Sequence, residues 1–241
     1  MARALIRPRR QEAAARRHPL GWSRARGRCP LVAALLAAGA LAACGPAAPP
    51  IRDVFFSLEP EVAVQPSPRP ITATLQVGQL AARGFLGGRE IVFRTAEEPL
   101  RAQRHNDLLW EEAPARALSQ NLADALREVG IFAFVVTIAE RSRADWLLQG
   151  ELTRFEHRPT DKPPKVMAAF NLTLVRNSDR KSRFSKGYEG IEPTTGTEPE
   201  AIAQAFNRLT ARLIDQVVRD IQALAPRLQI TQSQVTPERA P

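Results

Sequence analysis

Cysteine, histidine and carboxylate side chains are the residues of this 241-residue chain that could carry chemistry. Cys44 has the most distinctive position, because it ends an uncharged run at residues 30–43 (PLVAALLAAGALAA) and is followed at once by Gly45 and Pro46. A cysteine at such a boundary can be an acylation site, or it can end a membrane-spanning helix. The length of the run decides between these alternatives.

The apolar run is too short to cross a bilayer. As a helix rising about 1.5 Å per residue it reaches roughly 21 Å, less than the ~30 Å hydrocarbon core. An arginine-rich start, a short apolar stretch and small residues before a cleavage point are typical of a secretory signal peptide, here residues 1–43. Leu41-Ala42-Ala43-Cys44 resembles the bacterial lipobox, which implies cleavage between Ala43 and Cys44 and acylation of Cys44 with fatty acids such as palmitate. The alternative is an ordinary secretory signal that happens to contain a cysteine.

The other candidate residues do not form a catalytic or metal-binding pattern. His105 and His157, the histidines after residue 43, have no partner at metal-ligand spacing, so we expect neither zinc binding nor cysteine–histidine catalysis. The glycine-bearing residues 84–88 (GFLGG) lack the phosphate-binding pattern. Carboxylates are plentiful, but they form no recognised catalytic motif with a histidine, so we expect a protein that is not an enzyme and that has no cofactor.

The net charge of +9 is concentrated in the signal segment. Residues 1–43 contain nine arginines and one glutamate, whereas the rest of the chain has 25 lysines and arginines against 24 acidic residues. The mature chain is therefore close to neutral, and it lacks the basic footprint of a nucleic-acid-binding protein.

Proline density separates the start of the mature chain from a central domain. Residues 44–70 are rich in proline and are predicted to form an extended tether, with a short edge strand near residues 54–58 (VFFSL). Residues 71–225 carry the strand and helix patterns of one domain. Residues 226–241 have little to bury and are predicted to be a mobile tail.

Alternation of apolar and polar residues predicts the strands. Residues 71–77 have this pattern, and so do residues 146–155, 166–174 and 184–188, which are predicted to form an antiparallel meander. Phe155 falls out of phase, which indicates a bulge. The nearly continuous apolar run at 131–138 predicts a central strand covered on both faces.

Two helices are predicted from their ends and their apolar stripes. Pro114 opens the first helix and Gly130 ends it. A capping box at residues 197–200 opens the second helix, and Pro226 is predicted to close it. The predicted fold class is α+β, with a mixed, mainly antiparallel sheet and two helices packed on one face.

Six short motifs between Phe55 and Ile221 resemble, in their order, the ABC-type transport auxiliary lipoproteins, the group that includes paraquat-inducible protein C. They are FSL at 56–58, GFL at 84–86, IVFR at 91–94, LLWE at 108–111, ADWLL at 144–148 and ELTRFE at 151–156. This chain has phenylalanine at the first aromatic position and in the strand after the GFL turn, where the family often has tyrosine.

The resemblance implies a non-enzymatic component of an MCE-type lipid transport system. In such systems an ABC or permease unit of the inner membrane and a periplasmic MCE-domain protein move phospholipid or other hydrophobic molecules. The chain would hold the outer-membrane end, on the periplasmic face, through a lipid anchor on Cys44, and a homo-oligomeric ring is the expected assembly. The alternative is a lipoprotein for envelope integrity or outer-membrane assembly without a transport role.

Gly84, Phe85, Leu86 and Trp110 are the predicted partner contacts, together with the sheet face or edge that the helices leave uncovered. For Trp110, packing in the core is the alternative interpretation. The loop at 157–165 (HRPTDKPPK) also has two interpretations, a site for anionic groups or a solvated hairpin tip.

Overall fold

The computed structural model describes residues 52–233, apart from residues 64, 69 and 197, and at 230–233 it describes the backbone alone. In this part of the chain, two helices pack against a sheet of nine strands. The helices are α1 (Pro114–Val129) and α2 (Pro199–Ser233). The strands are β1 (Val54–Phe56), β2 (Ile71–Val77), β3 (Ala81–Ala82), β4 (Glu90–Phe93), β5 (Gln103–Trp110), β6 (Phe132–Thr137), β7 (Trp146–Arg158), β8 (Lys165–Arg176) and β9 (Ser182–Pro193).

The sheet is organised around β7, which is 13 residues long. Along one edge β7 pairs antiparallel with β8, and β9 pairs antiparallel with β8 beyond it. Along the other edge, β2, β3 and β4 follow one another as parallel partners of β7. Outside β2 lies β6, and outside β4 lie β5 and then β1. Because the long strand pairs are antiparallel, the predicted α+β class with a mixed, mainly antiparallel sheet and two helices on one face is confirmed.

The core lies between the sheet and the helices. Trp110 at the end of β5 packs edge-on against Phe155 of β7 and Phe206 of α2, with ring centroids 5.7 and 5.4 Å apart. The rings of Phe155 and Phe206 stack at 4.3 Å. These aromatic contacts fix α2 on the sheet where β5 and β7 converge.

The predicted bulge in β7 and the predicted bounds of α1 are confirmed. The register between β7 and β8 shifts between Leu152 and Arg154, just before Phe155. Pro114 lies in the first turn of α1, and Gly130 follows its last residue with a left-handed φ of 65°. Glycine has no Cβ to oppose that conformation, so it ends the helix without strain.

The prediction that Pro226 ends the second helix is wrong. α2 continues through Pro226 to Ser233. Proline removes one hydrogen-bond donor and crowds the preceding turn, but Ala225 and Leu228 on either side of it remain buried. Burial of the apolar stripe on both sides therefore outweighs the local cost. Thr197 of the predicted capping box lies outside the described residues.

The prediction of a central strand at 131–138 is also wrong. This segment forms β6, which pairs with β2 alone in the described sheet and is one of its end strands. Phe134 is 68% exposed. An apolar run indicates that a segment forms a strand, but it does not show how many other strands pair with that segment.

Much of the predicted tether is packed onto the domain. β1 pairs parallel with β5 as the predicted edge strand, and Leu58 after it is buried. The carbonyl of Leu58 accepts a hydrogen bond from Asn121 Nδ2 at 2.8 Å, and that of Ser57 accepts one from Asn207 Nδ2 at 3.1 Å. The backbone N–H of Ser67 donates to the carbonyl of Val129 at 2.7 Å. The described part of the predicted tether is therefore attached to the domain from β1 onward.

Candidate docking groove

A groove of about 460 Å³ lies where the partner strands of β7 leave a gap. β3 pairs with β7 as far as Leu152, and β4 pairs with it again at His157. Between these positions no strand of the described residues pairs with this edge of β7. The groove is lined by Arg83, Gly84, Phe85, Leu86, Val92, Arg94, Ala102, Glu151, Leu152, Thr153, Arg154 and Glu156.

One wall of the groove is a 3₁₀ turn at Gly84–Gly87. Gly84 has a φ of 56°, in the left-handed region that favours glycine. The turn leaves the ring of Phe85 46% exposed, while Leu86 packs partly against the core. The guanidinium of Arg104 lies 5.6 Å from the centre of the Phe85 ring. Three of the predicted contact residues therefore lie together in this wall, and their role in binding stays a prediction.

Trp110, the fourth predicted contact residue, is not available to a partner in this fold. Its side chain is 1% exposed and packs between β7 and α2. The structure thus supports the alternative interpretation, in which Trp110 is a core residue, and we remove it from the predicted contact.

The charged side chains of the groove are paired with one another. Arg83 contacts Glu151 at 2.9 Å, and Arg94 contacts Glu156 at 2.8 Å. Glu156 is buried, and a further arginine of the groove, Arg154, lies 3.9 Å from it. With three arginines and two glutamates among its lining residues, the groove is close to neutral.

The fold brings together the two histidines that are 52 positions apart in the sequence. The rings of His105 and His157 lie 6.4 Å apart, and Phe93 packs against His105 at 4.6 Å. Both nitrogens of His157 and Nε2 of His105 are buried without a hydrogen-bond partner. Burial, followed by the charge of His105, lowers the pKa of His157 to about 4. Burial also lowers the pKa of His105, against a smaller opposing effect of Asp107.

The histidine pair escaped the sequence analysis because spacing along the chain does not show which strands are neighbours. Within residues 52–233, no group of three or more histidine, cysteine, aspartate or glutamate side chains is arranged to hold a metal ion. In the same part of the chain, none of the helices is long and apolar enough to span a membrane. Ala43 and Cys44, the predicted cleavage and acylation residues, lie outside the described residues.

The loop at 157–165 includes the tip of the β7–β8 hairpin. Arg158 contacts Asp161 at 3.5 Å, and Lys165 contacts it at 3.0 Å. Burial of Asp161 opposes its ionisation, but the hydrogen bonds and charges of Lys165 and Arg158 together lower its pKa. Two of the basic side chains of this loop therefore share the carboxylate of Asp161 within the hairpin.

Comparison with known proteins gives one family and a set of similar folds. The family model described as ABC-type transport auxiliary lipoprotein component matches residues 56–218. A crystal structure of a Xanthomonas campestris protein is 22% identical, covers 74% of this chain and 99% of its own, and has a TM-score of 0.64. An uncharacterized protein, 15% identical, covers 70% of this chain and 99% of its own at a TM-score of 0.55. No curated protein sequence matches the chain.

Proposed function

We propose, because this chain belongs to the family of ABC-type transport auxiliary lipoprotein components, that it docks an MCE-type lipid transport system at the periplasmic face of the outer membrane. In this proposal it is not an enzyme. It holds the distal end of a periplasmic MCE-domain protein, whose ABC or permease unit lies in the inner membrane.

In this proposal the chain is cleaved between Ala43 and Cys44, and the acylated Cys44 is the membrane anchor. Each buried methylene contributes about 0.8 kcal/mol, so a single acyl chain binds a membrane marginally and two or three hold it stably. The residue after the cysteine is Gly45, whereas an aspartate at this position retains lipoproteins at the inner membrane in enteric bacteria. We therefore place the protein on the outer membrane.

The open edge of β7 beside the exposed ring of Phe85 is the observation that carries the docking role. Main-chain groups of a strand edge without a neighbour can hydrogen-bond an extended segment of another protein, which then extends the sheet. The side chains of Leu86, Val92 and Leu152 line the same groove and supply apolar contact. An extended segment of the MCE protein, laid along β7 between Leu152 and His157, fits this arrangement.

The groove also determines the expected response to salt. Its net charge is only +1 and its charged side chains are already paired, so the complex should depend weakly on ionic strength. If the MCE protein has cyclic symmetry, copies of this chain at each equivalent position form a matching homo-oligomeric ring.

Co-purification with the co-encoded MCE protein tests the proposal. We expect the wild-type chain to form a complex in both low and high salt. The substitution Phe85→Ala should weaken that complex by about thirtyfold, the effect of losing a central aromatic contact worth about 2 kcal/mol. The matched control is Phe134→Ala, which removes an exposed phenylalanine from β6 at another edge of the sheet and should leave binding unchanged.

Two different results would contradict two different parts of the proposal. Equal binding by wild type and Phe85→Ala would exclude the groove as the contact while leaving the partnership intact. Failure of the wild-type chain to bind the MCE protein at either salt concentration would exclude the partnership itself.

A further inference from the structure

Two loops lie together at one end of the sheet. The β4–β5 loop, residues 94–102, and the β7–β8 hairpin tip meet there, because β4 ends level with the end of β7. The N–H of Ala96 donates to Thr160 Oγ1 at 2.7 Å, and Thr160 Oγ1 donates to Glu97 at 3.2 Å. These two hydrogen bonds join the loops into one surface, which we name the loop end.

The N-terminal end of β1 faces the loop end. β1 runs parallel to β5, with Val54 level with Leu108. β5 begins at Gln103, directly after the β4–β5 loop. The direction of β1 at its N-terminal end is therefore along β5 toward the loop end. The level of Val54 lies about 17 Å from that of Gln103, at ~3.4 Å per residue.

The stretch of chain between Cys44 and β1 is too short to let the domain lie far from an anchor at Cys44. Val54 is the tenth residue after Cys44, and an extended chain spans at most ~3.3–3.6 Å per residue, or roughly 35 Å in all. If the whole of residues 45–70 were extended, the same rule would give roughly 90 Å. Because Leu58 is buried and Ser67 is bonded to Val129, an acylated Cys44 would hold β1 within roughly 35 Å of the membrane surface.

The loop end carries side chains suited to a lipid surface. Leu100, in the β4–β5 loop, is 94% exposed, the largest value among the exposed large apolar side chains of the described residues. Residues 94–102 and 157–165 contain five lysines and arginines against three acidic residues. Arg101 is paired with Glu98, and Arg158 and Lys165 share Asp161, so the loop end keeps a small net positive charge. An exposed apolar side chain on a surface of small net positive charge is a combination that binds the interface of an anionic bilayer.

We propose that the loop end rests on the phospholipid surface that holds the Cys44 anchor, with Leu100 entering the headgroup region. This inference rests on the acylation of Cys44 in the proposed function. It adds an orientation, in which the β8–β9 turn at the other end of the sheet points away from that membrane. The turn is at the other end because Arg176 pairs with Trp146, the first residue of β7.

A fluorophore placed at each end of the sheet tests the orientation. Cys29 lies in the segment to be removed and Cys44 is acylated, so Leu100→Cys gives the mature full-length protein a single free thiol. Ser178→Cys, in the exposed β8–β9 turn, gives the matched control. Each lipidated protein is labelled with an environment-sensitive dye and reconstituted in vesicles of phosphatidylethanolamine and phosphatidylglycerol that contain a spin-labelled lipid quencher.

We expect lipid quenching at position 100 to be several-fold stronger than at position 178, with a blue-shifted emission at position 100 alone. Flotation with the vesicles but equal or weaker quenching at position 100 would overturn the orientation and leave the anchor standing. Failure of the wild-type protein to float with the vesicles would overturn the anchor and, with it, this inference.

Discussion

Lowering the pH from about 7.5 to about 5 is expected to destabilise the domain through His157. The side chain is 4% exposed and neither ring nitrogen has a hydrogen-bond partner. Its pKa is lowered from the ordinary value of 6.5 to about 4, first by burial and then by His105. The unfolded chain therefore takes up the proton first. The stability contributed by the neutral ring is fully present above about pH 6.5 and is lost as the pH falls toward about 4.

The size of the effect follows from the two pKa values. Each pKa unit corresponds to 1.36 kcal/mol, so the full difference is worth about 3 kcal/mol. Between about pH 7.5 and about pH 5, about 2 kcal/mol of this is lost. For a domain of this size a change of that magnitude lowers the midpoint of thermal unfolding by roughly 5 °C.

Urea unfolding at several pH values, compared between wild type and His157→Gln, isolates this contribution. Carboxylates with lowered pKa values, such as Glu192 and Asp220, also titrate as the pH falls, but they do so equally in both proteins. The free energy of unfolding of the wild type should fall by about 2 kcal/mol more than that of the variant. Parallel pH profiles for the two proteins, or a ring of His157 that titrates near its ordinary pKa by NMR, would refute the reasoning.

Two further predictions concern the packing of the domain. Gly150→Ala should lower the free energy of unfolding by about 2–3 kcal/mol, because the new Cβ would lie 1.9 Å from the carbonyl oxygen of Asn171. The control in the same chemical denaturation series is Gly87→Ala, whose Cβ would meet only the carbonyl oxygen of Ala82 at 3.8 Å. Equal destabilisation by the two substitutions would contradict the predicted clash. The amide of Ser67, bonded to Val129, should show strongly slowed hydrogen exchange, whereas exchange at the rate of a free peptide would show that this segment is a loose tether.

Local patterns predicted the elements whose burial is decided within the element. The alternation in ITATLQV placed β2 correctly, because every second side chain of this strand faces the core. Pro114 and Gly130 fixed the ends of α1 because each acts on its own backbone angles. These effects need no knowledge of the rest of the chain.

Features that depend on distant neighbours were not predictable in this way. β5 was not predicted as a strand, because most of its residues (QRHNDLLW) are polar and its burial depends on β1, β4 and α2. The GFL motif indicated a turn, but the other side of the groove is formed by residues 151–156, far along the sequence. The burial of Leu58 likewise depends on where the helices lie, so proline content alone predicted a free tether.

The place of β7 in the sheet also sets the order in which the chain can fold as it is made. β3 and β4 both pair with β7, so a chain emerging N-terminus first holds their edges open until residues 146–158 have followed. β8 and β9 then add through short hairpins, which close quickly, whereas the parallel pairs formed by β2, β3 and β4 close long loops and form slowly. Until β7 has been synthesised and has paired, strand edges such as that of β4 are exposed to other chains. We therefore expect the nascent N-terminal half to be more prone to aggregation than the rest of the chain.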